Sequence, residues 1–177
     1  ILFINLPKMN RQKPNKLMGE DFPLLVKQVD DATEKAKALP YEKITVTTDD
    51  GLKLYGEFFV NPTPTKNTIL CVHGYNSNGF MDFAPMVEPI LSHGYNCFLL
   101  NHRHHGESEG KFTGFGILDS KDLVKWIEAI NSRFPDGKII LYGVSMGAAT
   151  VMLSSDLDLP ENVAGIATTA KALRLVT

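Results

Sequence analysis

Ile139-Ile140-Leu141-Tyr142-Gly143-Val144-Ser145-Met146-Gly147-Ala148-Ala149-Thr150 is the stretch that decides how the chain is read. Four apolar residues predict a buried strand, and Ala148 to Leu153 predicts a helix rich in small residues. Between them stands G-x-S-x-G. A serine on so tight a strand-to-helix turn is held in a strained backbone conformation, and Gly143 and Gly147 remove the Cβ atoms that would clash there. The turn lifts the Ser145 hydroxyl above the sheet. It also aims the Met146 backbone N–H, at the helix N-terminus, toward a point where negative charge could be stabilised. Serine is a weak nucleophile alone, so such a site also needs a base and a group that orients the base. The plain alternative is a Gly-Ser-Gly turn that only joins a strand to a helix. The flanking pattern favours the chemical reading.

Working outward, the run Thr68-Ile69-Leu70-Cys71-Val72 reads as a strand buried on both faces, ending in the glycine-bounded loop His73 to Gly79. Phe83, Met86, Val87, Ile90 and Leu91 then repeat at helical spacing, and Gly94 caps that helix. Asn96 to Leu100 is the next strand. After the loop Asn101 to Phe115 comes a helix carrying Leu123, Trp126, Ile127, Ile130 and Phe134, with Asp119 and Asp122 favourably placed near its N-terminus. Strands alternating with helices specify a parallel sheet covered on both faces. Upstream, Ile44, Val46 and Thr48 alternate, Asp49-Asp50-Gly51 turns, and Leu52 to Val60 returns, the pattern of a β-hairpin. Residues 20–39 read as a helix ended by Pro40, and Leu6 to Lys16 as a polar surface lead-in. The expected division is a lead-in and helix over 1–40 and a core over 41–177.

Length and composition bound the function. With 177 residues, 44% hydrophobic and 21% charged, the chain can bury one substantial core. A net charge of −2 gives no basic face for nucleic acid. No apolar run reaches the ~20 residues of a membrane helix. The chain starts without Met, as a processed form or fragment would, and Ile1-Leu2-Phe3-Ile4 could be the stump of a longer apolar segment. A cytoplasmic location is expected, with membrane association through such a segment as the alternative. Cys71 and Cys97 sit in apolar strands and read as buried free thiols, which suits a reducing compartment.

Three features in order carry a resemblance: His73-Gly74 after one parallel strand, Arg103-His104-His105-Gly106-Glu107-Ser108 after the next, and Gly143 to Gly147 after the third. Together they resemble the α/β-hydrolases, in particular bacterial serine hydrolases related to cinnamoyl esterases and serine aminopeptidases, over roughly Glu42 to Val163. The resemblance implies an α/β-hydrolase core whose hairpin supplies the first two strands. It implies Ser145 as the nucleophile of an acyl-enzyme, and an oxyanion hole from the N–H groups of Tyr75 and Met146. His73, Gly74, Gly143 and Gly147 would support that site. The implied substrate is a small carboxylic ester, with a short peptide or amide as the alternative, and no cofactor.

Two departures stand out. The family usually shows D-x-R-x-H-G-x-S, whereas Asn101 replaces the aspartate and His104 stands where a small residue is common. His102, His104 and His105 also resemble the H-x-H core of metallo-hydrolase loops. The aspartate of those motifs is missing and no second ligand cluster follows, so no metal is expected. The other departure is the ending, since an α/β-hydrolase triad runs Ser, then Asp or Glu, then His. All five histidines (73, 93, 102, 104 and 105) precede Ser145, and Asp156, Asp158 and Glu161 come too early. Val163 to Thr169 can form a sixth strand, but Lys171 to Thr177 resembles neither of the next two, so the fold is expected to lack its last strands.

His73 is the one histidine whose strand adjoins the serine strand, about 4.8 Å away, while His102 and its neighbours start roughly 10 Å off. Its expected role is to shape the oxyanion loop. His93 reads as a residue facing a helix C-terminus. Tyr75, Phe80 and Phe83 could line an acyl pocket or belong to the core. The rival to an enzyme is an inert hydrolase-fold fragment or binding module, with an open sheet edge available for self-association.

Overall fold

The computed structural model describes residues 23–169. Its elements are α1 (Pro23–Ala38), β1 (Glu42–Thr47), β2 (Lys53–Phe59), β3 (Thr68–Val72), α2 (Gly79–Ser92), β4 (Asn96–Leu100), α3 (Ile117–Arg133), β5 (Ile139–Val144), α4 (Met146–Ser154) and β6 (Val163–Thr169). The lead-in 6–16, the stretch Ile1–Ile4 and the tail 171–177 lie outside the described residues, as do residues 20–22 of the expected first helix.

Six strands form one sheet in the order β1-β2-β4-β3-β5-β6. The hairpin is antiparallel, with Thr47 opposite Lys53, and β2 runs antiparallel to β4. From β4 onward every pair is parallel. The sheet is thus mostly parallel, with an antiparallel hairpin at one edge, as the resemblance implies. The turn at Asp49 to Gly51 closes as its residues predict, Gly51 N–H donating to Thr48 O (3.0 Å) with Gly51 at φ 84°.

Side-chain alternation splits the core. Leu70, Val72, Phe98, Leu100 and Leu141 face one way, onto Leu123, Trp126, Ile127 and Ile130 of α3 and Val151 of α4. Cys71, Cys97, Leu99 and Phe59 face the other, onto Phe83, Val87 and Ile90 of α2 and Ala36 of α1. Each fully buried large side chain stabilises the fold by about 1.5–3 kcal/mol. Trp126 meets the Phe98 ring edge to face at 5.3 Å. Both cysteines are free and buried. Phe83 is fully buried against Tyr142, and Phe80 packs on Tyr41 and Phe59, so of the two readings offered for these rings the core one holds.

At the far edge, β6 is mostly exposed, with Ile166 open to solvent. It is tied to β5 by its ladder, and Ser145 N–H donates to Thr169 O at 2.9 Å. No helix among the described residues is long and apolar enough to cross a membrane.

Candidate active site

The carboxyl ends of β3, β4 and β5 meet at one place. That is where an open parallel sheet with helices on both faces offers a crevice. Ser145 sits at the end of β5 with φ 54° and ψ −115°, a conformation L-residues avoid, and its side chain is exposed. Two close approaches force the turn. A Cβ on Gly147 would lie 1.9 Å from Val72 O, and one on Gly143 would lie 2.4 Å from Gly147 O. The helix therefore starts hard against the end of β3, which only glycine at both positions permits. The Ser145 carbonyl accepts from the Ala148 and Ala149 N–H groups (3.0 and 3.2 Å), starting α4 at once.

The loop after β3 lies beside it. A Cβ built on Gly74 would stand 3.2 Å from Ser145 Cβ, so Tyr75 leaves the loop next to the serine. This loop is pinned from three sides. Asp82 in the first turn of α2 accepts from Gly74 N–H (2.7 Å) and from Ser77 Oγ–H (2.6 Å). Asn78 caps the same helix by accepting from Met81 N–H. From the β4 side, His105 Nε2 accepts from Asn76 N–H (3.2 Å), while its Nδ1–H donates to Arg103 O (2.9 Å).

His73 is fully buried, and both ring nitrogens are engaged by backbone. Nδ1–H donates to Gly74 O (2.7 Å), and Nε2 accepts from His102 N–H (3.1 Å). Burial, with the His102 and His105 rings close by, pushes its pKa well below the ordinary histidine value. Burial likewise takes His105 down to about 4, aided by the His102 ring. Both rings are therefore neutral fasteners of the loop, with no nitrogen left over for Ser145.

As strand spacing predicts, β4 lies one strand further than β3 from the strand that leads to Ser145. The loop after β4 brings the His102 ring to 4.5 Å from that of His73, and its Nε2–H donates to His73 O (3.1 Å). Asp119, buried at the start of α3, faces His102 Nδ1 with its Oδ1 at 3.3 Å without hydrogen-bond geometry. Burial works against the Asp119 charge. The facing His102, the Gly116 N–H and the Arg103 guanidinium outweigh it and hold the carboxyl below its usual range. Asp122 is also buried and receives Arg103 in a two-pronged bond (2.7 and 2.8 Å), while the same guanidinium takes Asp50 at the hairpin turn (3.0 and 3.1 Å). Asp119 and Asp122 thus do more than favour a helix terminus. They anchor the loop after β4.

Asn101 resolves the departure at the expected aspartate. Its Oδ1 accepts from Gly79 N–H (3.0 Å) and its amide donates to Glu57 (3.2 Å), a partner that a second carboxylate would repel. Burial raises Glu57 to about 7 against the Asn101 hydrogen bond. His93 ends α2 with its Nδ1–H on Pro89 O, as a helix C-terminal residue should. No group of three or more His, Cys, Asp or Glu among the described residues is arranged to hold a metal ion. Asp82 and the fold-back of His102 escaped the sequence reading. An acidic residue four positions after a capping asparagine was the available signal for Asp82.

Residues 67–174 match the family model of the alpha/beta hydrolase fold. The chain is 34% identical over 97 residues to the uncharacterized protein YqkD of Bacillus subtilis (strain 168), covering 54% of this chain and 32% of that one. It is 32% identical over 122 residues to the uncharacterized hydrolase YugF of the same organism, covering 69% and 41%. Among solved structures, the esterase Pf2001 of Pyrococcus furiosus superimposes with a TM-score of 0.65 at 28% identity, over 77% of this chain and 52% of that one. The chain therefore spans less than half the length of these two curated relatives. With the strand-to-helix corner at Ser145, the sheet order and the family match side by side, the chain belongs to the alpha/beta hydrolase fold family.

Proposed function

We propose that the protein is a serine hydrolase acting on a small carboxylic ester, with Ser145 as its nucleophile. The observation that carries this reading is the strained, exposed Ser145 at the sheet end, close enough to the residue before Tyr75 that a Cβ built on Gly74 would lie 3.2 Å from the Ser145 Cβ. Ser145 Oγ attacks the ester carbonyl carbon and passes its proton to a base. The C–O bond to the alcohol breaks as that alcohol takes a proton, leaving an acyl-enzyme that water then hydrolyses. The N–H groups of Tyr75 and Met146 are assigned to the developing oxyanion, and removing one such donor typically costs about 10²–10³ in rate. His73 and Gly74 shape the loop, and Gly143 and Gly147 permit the corner. No cofactor is required by this chemistry. The name of Pyrococcus furiosus esterase Pf2001 supports ester over peptide as the substrate.

The second reading is that these 177 residues alone bind but do not turn over. Its support is specific: every histidine precedes Ser145, and the rings of His73 and His105 spend both nitrogens on the scaffold. In this account the base is none of the five. The test is hydrolysis of p-nitrophenyl acetate by protein expressed from the full open reading frame. Turnover lost in Ser145→Ala is expected, and turnover unaffected by that change refutes the proposal.

A further inference from the structure

Asp82 is an acid in the first turn of α2, an ordinary place for one, yet its carboxylate bonds reach out of that helix. The helix is capped by Asn78, whose side chain accepts from Met81 N–H (3.0 Å). Asp82 Oδ2 instead accepts from Gly74 N–H (2.7 Å), and Oδ1 accepts from Ser77 Oγ–H (2.6 Å). Carboxylate and nucleophile also crowd the same point: a Cβ built on Gly74 would lie 3.2 Å from Ser145 Cβ and 3.4 Å from Asp82 Oδ2.

Glycine has no Cβ to restrict its dihedrals, so the peptide planes on either side of Gly74 turn freely unless held. Both are held. The His73–Gly74 peptide is gripped at its N–H by Asp82 and at its carbonyl by His102, whose Nε2–H donates to His73 O (3.1 Å). In the next peptide, Gly74 O accepts from His73 Nδ1–H (2.7 Å). The proton is on Nδ1 because His73 Nε2 must accept from the His102 backbone N–H (3.1 Å), a group that can only donate. A trans peptide is planar, so fixing Gly74 O also fixes the direction of the Tyr75 N–H at its other end. The amides on either side of that N–H are committed, Gly74 to Asp82 and Asn76 to His105 (3.2 Å). Among the described residues, no acceptor is paired with Tyr75 N–H between them.

Resting on the acyl-transfer reading of Ser145, we infer that Asp82 is a positioning residue for that step. It holds the Gly74 N–H while His102 holds the carbonyl of the same peptide, and together they aim the Tyr75 N–H that follows. Asp82 acts through backbone, so its loss frees a peptide plane and leaves the donor itself in place. The cost should be part of the 10²–10³ in rate that a missing oxyanion donor typically carries, about ten- to a hundredfold. An interaction made only in the transition state lowers kcat and leaves KM alone.

The test uses protein from the full open reading frame with p-nitrophenyl acetate. Asp82→Ala should lower kcat about tenfold or more, with KM within about twofold. Asp82→Asn keeps an oxygen for Gly74 N–H, and Ser77 Oγ can accept from its amide, so kcat should stay within about threefold. Ile130→Val, in the core on the opposite face of the sheet from α2, should lower the urea midpoint and leave kcat within about twofold. Ser145-dependent hydrolysis that Asp82→Ala leaves within about threefold, or that Asp82→Ala changes only in KM, overturns the inference alone. So does an equal loss of kcat in Asp82→Asn, or an Asp82→Ala that fails to fold, since either makes Asp82 something other than a backbone grip. Absence of any Ser145-dependent hydrolysis overturns the acyl-transfer reading and the inference with it.

Discussion

Replacing Ser145 by Ala and by Gly separates backbone strain from the hydroxyl. Both variants lose Oγ, so every effect of that oxygen cancels between them. Alanine must still adopt φ 54°, ψ −115°, a conformation that costs of order 1–3 kcal/mol for a residue with a Cβ. Glycine adopts it without that cost but adds about 0.5–1 kcal/mol of chain entropy on folding. The Ser145 side chain is exposed, so loss of its Cβ subtracts little, at ~0.1–0.2 kcal/mol per contact. Ser145→Gly should therefore exceed Ser145→Ala in stability by about 1 kcal/mol, the reverse of the usual order. Urea unfolding with equal m-values reads this directly as a difference in midpoint. In thermal unfolding it corresponds to roughly 2–4 °C for a protein of this size class. Alanine being the more stable by 0.5 kcal/mol or more would show that the corner is relaxed and would refute the reasoning.

Further outcomes follow from the same contacts. Gly147→Ala places a methyl carbon 1.9 Å from Val72 O, so it should destabilise by more than about 3 kcal/mol or yield no soluble protein, checked by expression and urea unfolding. Arg103→Ala leaves Asp122 buried and unpaired and should cost about 3–5 kcal/mol, whereas Lys43→Ala, from an exposed pair with Glu107, should change stability by less than about 1 kcal/mol. Glu57, raised from 4.5 to about 7, binds a proton more tightly when folded, so its contribution falls as pH rises across that window, by at most about 3 kcal/mol. His105, lowered from 6.5 to about 4, acts oppositely: its contribution is complete above the ordinary value and is lost as pH falls toward 4. The two slopes oppose each other between pH 4.5 and 6.5. Glu57→Gln should therefore steepen the acid-side loss seen in urea midpoints and raise stability near pH 8.

Most of the architecture was written in local patterns. The apolar runs 68–72, 96–100 and 139–142 could only be inner strands, and their alternation with amphipathic helices fixed the parallel order. The corner at Ser145 was legible because its glycines announce a backbone collision before any partner is known. What stayed hidden was long-range. The His102 ring lies beside that of His73 and faces Asp119, 17 residues further along the chain. Asn101 looked like a defect until Glu57, two strands of sequence earlier, turned out to need a donor rather than an acceptor. Phe115 looked like the end of a loop, since sequence periodicity says nothing about a positive φ or an exposed ring. The first two omissions are contacts between side chains distant in sequence, which periodicity cannot encode.

The claim on which the rest stands is that the hydroxyl of Ser145 is the reactive group. Protein from the full open reading frame, treated with a fluorophosphonate and digested for mass spectrometry, tests it most directly. A single phosphonate adduct on the peptide containing Ser145, absent from Ser145→Ala, is the result this account predicts. An adduct on a different serine, or ester turnover that persists with Ser145 unlabelled, would contradict it.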